Sequence, residues 1–409
     1  MRPAAAAAAL VCLAAATVHA TDEAIGQVID AIDVRGLERT KRTRPWIVER
    51  ELPWRAGDAV SAEAWDLGLA RLWNTGLFSH VDARIETRGA QRVAVVDVEE
   101  RFTLNPLFRF SVGGGTYWWR VGLDEANVAG RYLELAAQYE RFGAHSGGQA
   151  WWRAPNLGGT RTMALVQAER LARPRPGFTV FRALGRVEVA REITPLLVWD
   201  ARADLFADRF DLPVDGAADL PPPSEGVLAT ASLKAGRLDT VRIRQQGATV
   251  ELRAGPGASD QPGTPPWGVA TLEAFAFALA GERWNFALRG EAGAMTPAER
   301  QDRFYVGGLD LVRGIPDNAL RSTAFALVNL EARFTAYDSA WLALVPAAFV
   351  DGVVARSESG GPPATALTAG GGLRVLCPKL VAMGLRVDVA VPLSPAGAPN
   401  LSVGVYQFF

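Results

Sequence analysis

The chain has 409 residues, a formal net charge of -1 and no long basic run, which removes the usual electrostatic basis for binding nucleic acid. Its hydrophobic fraction is 49% with twelve tryptophans, yet after Ala20 no apolar stretch reaches the ~18 residues that a membrane-spanning helix requires. The apolar material must therefore be distributed in another way.

Residues 1–20 carry a cation at Arg2, an uncharged apolar run from Ala4 to Val18, and small residues at the minus-three and minus-one positions, Val18 and Ala20. This pattern predicts a signal peptide cleaved before Thr21. Val11 stands where a lipoprotein signal needs a small residue before Cys12, so Cys12 is expected to leave with the peptide. Cys377 is then the only cysteine of the exported chain, which is expected to hold together without an intramolecular disulfide.

Residues 21–101 read as a small α/β domain. A strand-like run from Val28 to Val34 precedes a short helix with Pro45 in its first turn. Ser61 then caps a second helix, where Trp65, Leu69 and Leu72 fall at i, i+4 and i+7 and Gly76 stands where a C-terminal cap belongs. Val81, Ala83 and Ile85 alternate with Asp82, Arg84 and Glu86 in a following strand, and Arg92 to Glu99 form another. The order β-α-α-β-β leaves a sheet edge open to a partner strand.

Residues 102–409 repeat one pattern, alternating apolar and polar side chains over roughly eight to twelve residues between turns. In Leu197 to Ala207 the apolar set is Leu197, Trp199, Ala201, Ala203, Leu205 and Ala207, opposed by Asp200, Arg202 and Asp204. Trp284, Phe286 and Leu288 oppose Asn285 and Arg289 in the same way, and Ala326, Val328, Leu330 and Ala332 oppose Asn329, Glu331 and Arg333. A soluble β-sandwich alternates too. Against it stand the charges of both signs on the polar faces, which suit a polar lumen, and the systematic difference in connection length. P-N-L-G-G-T, E-I-T-P, A-G-E-R and A-Y-D-S are short, whereas the connections from Arg209 to Glu225 and Gly255 to Trp267 are long and rich in Pro, Gly or Ser. The chain is therefore mainly β, with about sixteen strands closing a transmembrane antiparallel barrel. They are expected to begin near Leu107, Tyr117, Tyr132, Gly148, Arg161, Phe178, Leu196, Val227, Gly247, Val269, Trp284, Thr323, Trp341, Thr365, Val381 and Leu401.

The stretch I-D-V-R-G-L, the run L-W-N-T-G-L-F-S-H-V-D-A-R-I and the element order between them resemble a POTRA domain. The rest is similar to the barrel of the BamA/TamA-type outer-membrane assembly superfamily, also called the bacterial surface antigen family. Val312, Arg313, Gly314 and Ile315 match that family's loop motif, although Ile315 replaces the usual aromatic. Asn329, Glu331 and Arg333 match an N-x-E-x-R element. Phe349, Asp351 and Gly352 match an F-x-D-x-G element with one residue missing between the last two, and Arg386 and Asp388 belong to L-R-V-D. The resemblance implies that the loop between the eleventh and twelfth strands folds into the lumen and that Arg313 pairs with Glu331 and Asp351 as a latch. It also implies a C-terminal β-signal at Ser402, Gly404 and Phe409, weakened by a polar Gln407.

No G-x-S-x-G occurs, which excludes the patatin-fused branch, and the three histidines, one of them His145 in an expected outer turn, assemble no catalytic or metal site. Gly113-Gly114-Gly115 lacks the lysine and helix of a phosphate loop and is expected to weaken the end of the first strand. The expectation is a non-enzymatic protein of the bacterial outer membrane with its POTRA in the periplasm, needing no nucleotide or cofactor. Its partners would be outer-membrane lipid, an unfolded outer-membrane or secreted polypeptide, and a periplasmic partner at the POTRA edge. A passive channel, a structural surface barrel or lipid export are the alternatives.

Overall fold

A computed structural model describes residues 26–38, 42–113, 116–211, 220–296, 298–308, 311–357, 361–378 and 384–405. The expected signal peptide, Gly114, Gly115, Gln407 and the terminal Phe409 lie outside the described residues.

The N-terminal domain is a three-stranded sheet of β1 (Ala31–Arg35), β2 (Phe78–Arg88) and β3 (Gln91–Glu100) in the order β1-β3-β2. β1 runs parallel to β3 and β2 antiparallel to it. Helices α1 (Pro45–Glu51) and α2 (Ala62–Asn74) start where the sequence places their signals: Pro45 opens α1, and the Ser61 side chain accepts a hydrogen bond from the Ala64 amide at 3.1 Å. The first strand begins at Ala31, later than the expected Val28, because Val28 makes only an isolated bridge to Ala59. Ile47, Val48, Trp65, Leu72, Phe78 and Val96 share one buried core, with Trp54 stacked on Trp65 at 5.1 Å. Arg88 on the sheet bonds Asp33 at 2.7 Å and Glu86 at 2.8 Å, and Arg35 bonds the same two carboxylates at 3.0 and 3.2 Å.

Among the described residues sixteen strands close the barrel, counting one interrupted strand once. They are β4 (Leu104–Gly113), β5 (Thr116–Glu125), β6 (Glu134–Phe142), β7 (His145–Ala154), β8 (Thr162–Arg175), β9 (Phe178–Thr194), β10 (Leu197–Asp211), β11 (Ser224–Val241), β12 (Arg244–Ser259), β13 (Trp267–Ala280) and β14 (Trp284–Met295). After a short hairpin of β15 (Phe304–Val306) and β16 (Leu320–Ser322) come β17 (Ala324–Phe334) with its extension β18 (Tyr337–Asp338), β19 (Ala343–Ala355), β20 (Ala364–Leu376), β21 (Gly384–Ser394) and β22 (Asn400–Val405). β22 lies beside β4 and closes the ring. His145 opens a strand instead of standing in a turn, edge-on to Phe181 at 5.0 Å.

The alternation sorts side chains as lipid would require. Leu205, Leu233, Leu252 and Leu330 are exposed on the outer wall, while Asp200, Asp204, Asp208 and Glu331 are buried inside. Closure matters because each backbone group left unpaired in hydrocarbon costs several kcal/mol. The longest stretches of the wall are β9 to β12, of 15 to 18 residues each.

The N-terminal domain is seated directly on the turns at one mouth. Glu51, at the end of α1, accepts from Asn156 at 2.5 Å and pairs with Arg161, both on the β7–β8 connection. Arg71 of α2 pairs with Glu192 near the end of β9, and Asn127 in the β5–β6 turn donates to Thr43 at 2.9 Å. Glu51 is buried, so this contact is a desolvated one.

Candidate functional site

The connection between β14 and β17 runs inward. Its hairpin, β15 with β16, rests against the wall through Phe304, which meets Phe325 edge-on at 5.0 Å. Val312 is fully buried in an apolar seat of Phe325, Leu327, Val353 and Ala366, with Ile315 packed against the same cluster. Asn329 donates to the Leu311 carbonyl at 2.9 Å and fixes the approach of the tip. Gly314 has φ +89°, a left-handed conformation, and a Cβ there would lie 3.1 Å from the Ala390 side chain, so both backbone angle and space favour glycine.

Arg313 ends at the centre of a buried ionic cluster. Its Nε and Nη2 each lie 2.8 Å from Asp351, whose Oδ2 also accepts from the Arg313 amide at 3.0 Å, while Nη1 is 2.7 Å from Glu331. The guanidinium lies 3.4 Å from the centroid of the Phe349 ring. Side chains of Arg313, Glu331 and Asp351 are all 0% exposed, so each carboxylate depends on its cations.

The cluster extends further around the wall. Arg333 donates to Glu331 at 2.8 Å. Arg374 on β20 bonds both Glu331 oxygens at 3.0 Å and also pairs with Asp388 on β21, which lies 3.6 Å from Arg313 and 3.4 Å from Arg386. Arg374 and Arg386 face each other directly across β20 and β21, a like-charge pairing that Asp388 offsets. Gly372 makes the arrangement possible, because a Cβ there would stand 1.9 Å from Asp388 Oδ1. Four guanidinium groups thus share three carboxylates.

All the expected loop and wall residues, Val312, Arg313, Gly314, Ile315, Asn329, Glu331, Arg333, Phe349, Asp351, Arg386 and Asp388, meet at or beside this cluster; Gly352 is the next residue along β19. Ser402 and Gly404 are opposite Asp388 and Arg386 in register, so the last strand borders it. Sequence reasoning missed Arg374 and Gly372. Alternation along β20 puts Arg374 on the lumen side, but nothing local names its partners.

A second anchorage lies across the lumen on the hairpin of β8 and β9. Arg182 bonds Asp208 at 2.6 Å and Asp302 of the loop at 2.8 Å, and Arg175 lies 4.0 Å over the Tyr305 ring while pairing with Asn318. The loop is thereby tied to both sides of the barrel. No metal-holding group of three or more His, Cys, Asp or Glu occurs among the described residues.

An apolar-outside, charged-inside closed sheet with a domain at one mouth is the architecture of a membrane-spanning β-barrel. No family model matches the chain, and no curated protein does. Solved structures do match. BamA from Haemophilus ducreyi lacking POTRA domains 1-3 is 13% identical with a TM-score of 0.56, over 93% of this chain and 84% of that one. CdiB from Acinetobacter baumannii is 15% identical with a TM-score of 0.61, over 94% and 74%, and CdiB from Escherichia coli is 13% identical with a TM-score of 0.65, over 93% and 76%. At such identities the likeness establishes the fold, and the fold is that of the BamA and CdiB barrels.

Proposed function

We propose that the chain is a BamA/TamA-type protein of the bacterial outer membrane that inserts or translocates polypeptides without nucleotide, and that its N-terminal domain is a single periplasmic POTRA. The observation that carries this reading is Arg313, completely buried on a loop that crosses the lumen. A barrel serving only as a scaffold gains nothing from burying that charge, since a well-packed apolar contact would hold a loop as well. A two-sided ionic anchorage instead holds the loop in one defined position against the last strands.

In this mechanism a substrate strand is captured at the open edge of the POTRA sheet and then pairs with the edge of β4 when β22 separates from it. The latch of Arg313, Glu331 and Asp351 keeps the β17 to β21 wall rigid while the seam opens. In this reading the seam is the weakest pairing in the ring, because Gly113, Gly114 and Gly115 follow one another in the sequence at the end of the first barrel strand and Pro395 and Pro399 interrupt the approach to the last. The test is quantification of the outer-membrane proteome after depletion. Loss of many barrels supports insertion and loss of one secreted protein supports translocation. An unchanged proteome contradicts both and favours a passive scaffold.

A further inference from the structure

Between the loop tip and the strands β5, β6 and β8 lies a cavity of about 340 Å³. Arg120, Arg173 and Arg175 line it with Trp118, Tyr305 and Asp317. Three guanidinium groups on one cavity repel one another unless something holds them, and the structure shows what does. Arg120 stands directly opposite Glu140 across β5 and β6 and donates to its Oε2 from Nε at 3.0 Å and Nη2 at 2.5 Å. On the next strand Glu140 faces Gly147, which has no side chain, so Arg173 reaches over β7 from β8 to the other carboxylate oxygen. Glu140 is thus consumed as an internal brace.

Aromatic rings fix the remaining orientations. Arg120 lies 5.0 Å over Trp118 with Arg109 of β4 at 5.4 Å on the same ring, and Arg175 lies 4.0 Å over Tyr305. Arg175 also donates to Asn318, but its buried Nε meets no acceptor. Asp317 accepts from Asn318 at 2.9 Å. The lining therefore carries three cations against two carboxylates, one of them spent on bracing, with Arg109 as a further cation behind Trp118.

We propose that this cavity binds a phosphate-type oxyanion, either free or as the headgroup of a phosphorylated lipid. A tetrahedral anion with three or more outward oxygens satisfies several preset guanidinium forks at once, whereas a single carboxylate satisfies one. The cavity exceeds a lone phosphate, so the group carrying it has room for a sugar or glycerol body. Asn400, the first residue of β22, borders the cavity and places it beside the closing seam, where a headgroup from the surrounding lipid would enter. The site stands independently of polypeptide transport.

The test uses the full chain in detergent and in nanodiscs. Inorganic phosphate and pyrophosphate are titrated by calorimetry and by phosphorus NMR. Nanodiscs containing a phosphomonoester lipid are compared with nanodiscs containing its dephosphorylated counterpart. Saturable phosphate binding is expected, weakened about tenfold or more in Arg175→Gln, which leaves the Glu140 brace intact. The double variant Arg173→Gln with Glu140→Gln, which removes one charge of each sign, should weaken it as well, and unchanged heat-modifiable mobility reports that both variants fold. Protection of the loop by the phosphomonoester lipid but not by its counterpart identifies a lipid headgroup; binding of free phosphate without it identifies the soluble anion. Absence of binding to both, or wild-type affinity in both folded variants, overturns the proposal.

Discussion

Arg313 holds its position through two buried carboxylates, Asp351 and Glu331, the second of which it shares with Arg333 and Arg374, and this makes single substitutions informative. Arg313→Ala leaves Asp351 and Glu331 buried beside fewer cations, and the expected loss is about 3–5 kcal/mol of barrel stability in urea unfolding from detergent. A double-mutant cycle with Asp351→Asn should show strong coupling, and strict additivity would contradict a shared contact. Gly372 supplies a steric control. Gly372→Ala places a methyl against Asp388 and Arg374, whereas the nearest atom to a methyl at neighbouring Gly371 is the Ala347 carbonyl at 3.4 Å. The first should lower the thermal midpoint markedly and the second little; equal effects would contradict the packing described. On the N-terminal sheet, Arg88 holds the Asp33 and Glu86 carboxyls below their ordinary values of 3.8 and 4.5. Folded values below unfolded ones mean the contribution is present above about pH 4.5 and lost as pH falls through the folded values. Arg88→Gln should move both titrations upward in carboxyl NMR, and high salt should reduce the difference.

The elements differ in how far the sequence reveals them. Barrel strands are legible because lipid on one side and a charged lumen on the other impose a strict period of two, and every expected start falls within three residues of the observed one, as at Leu107 against Leu104 and Val381 against Gly384. Helix caps at Pro45 and Ser61 are legible for the same local reason. What joins distant segments is not. The Arg182–Asp302 tie spans 120 residues and the Glu51–Arg161 pair 110, and neither leaves a periodic trace. The β15–β16 hairpin is too short to show alternation. Resemblance to a known family supplied the partners of Arg313, which spacing alone could not. The seat of the N-terminal domain yields its own prediction. Glu51→Gln removes the charge that pairs with Arg161, so the domain should be released by limited proteolysis faster than in the wild type, leaving a heat-modifiable fragment that begins near residue 102. Unchanged cleavage would mean that the remaining contacts suffice.

Taken as a whole, the molecule is a closed cylinder braced from within by a loop tied to both walls and capped at one mouth by a small domain. The side from β17 to β21 carries the ionic cluster, and beside it β22 closes the ring against β4. In the proposed mechanism an interior so filled by the loop directs a polypeptide toward the wall, and the wall gives at the seam of β4 and β22. The central claim is that this seam must open. Cysteines at Phe108 or Phe110 on β4 and at Leu401 or Val403 on β22, introduced in a Cys377→Ser background, allow the two strands to be joined by oxidation. The measurement is the ability of each cross-linked protein to restore the outer-membrane proteome of depleted cells, compared with the same protein after reduction. Loss of restoration on cross-linking, recovered on reduction with the barrel still heat-modifiable, is the predicted result. Full restoration by an efficiently cross-linked pair would contradict it.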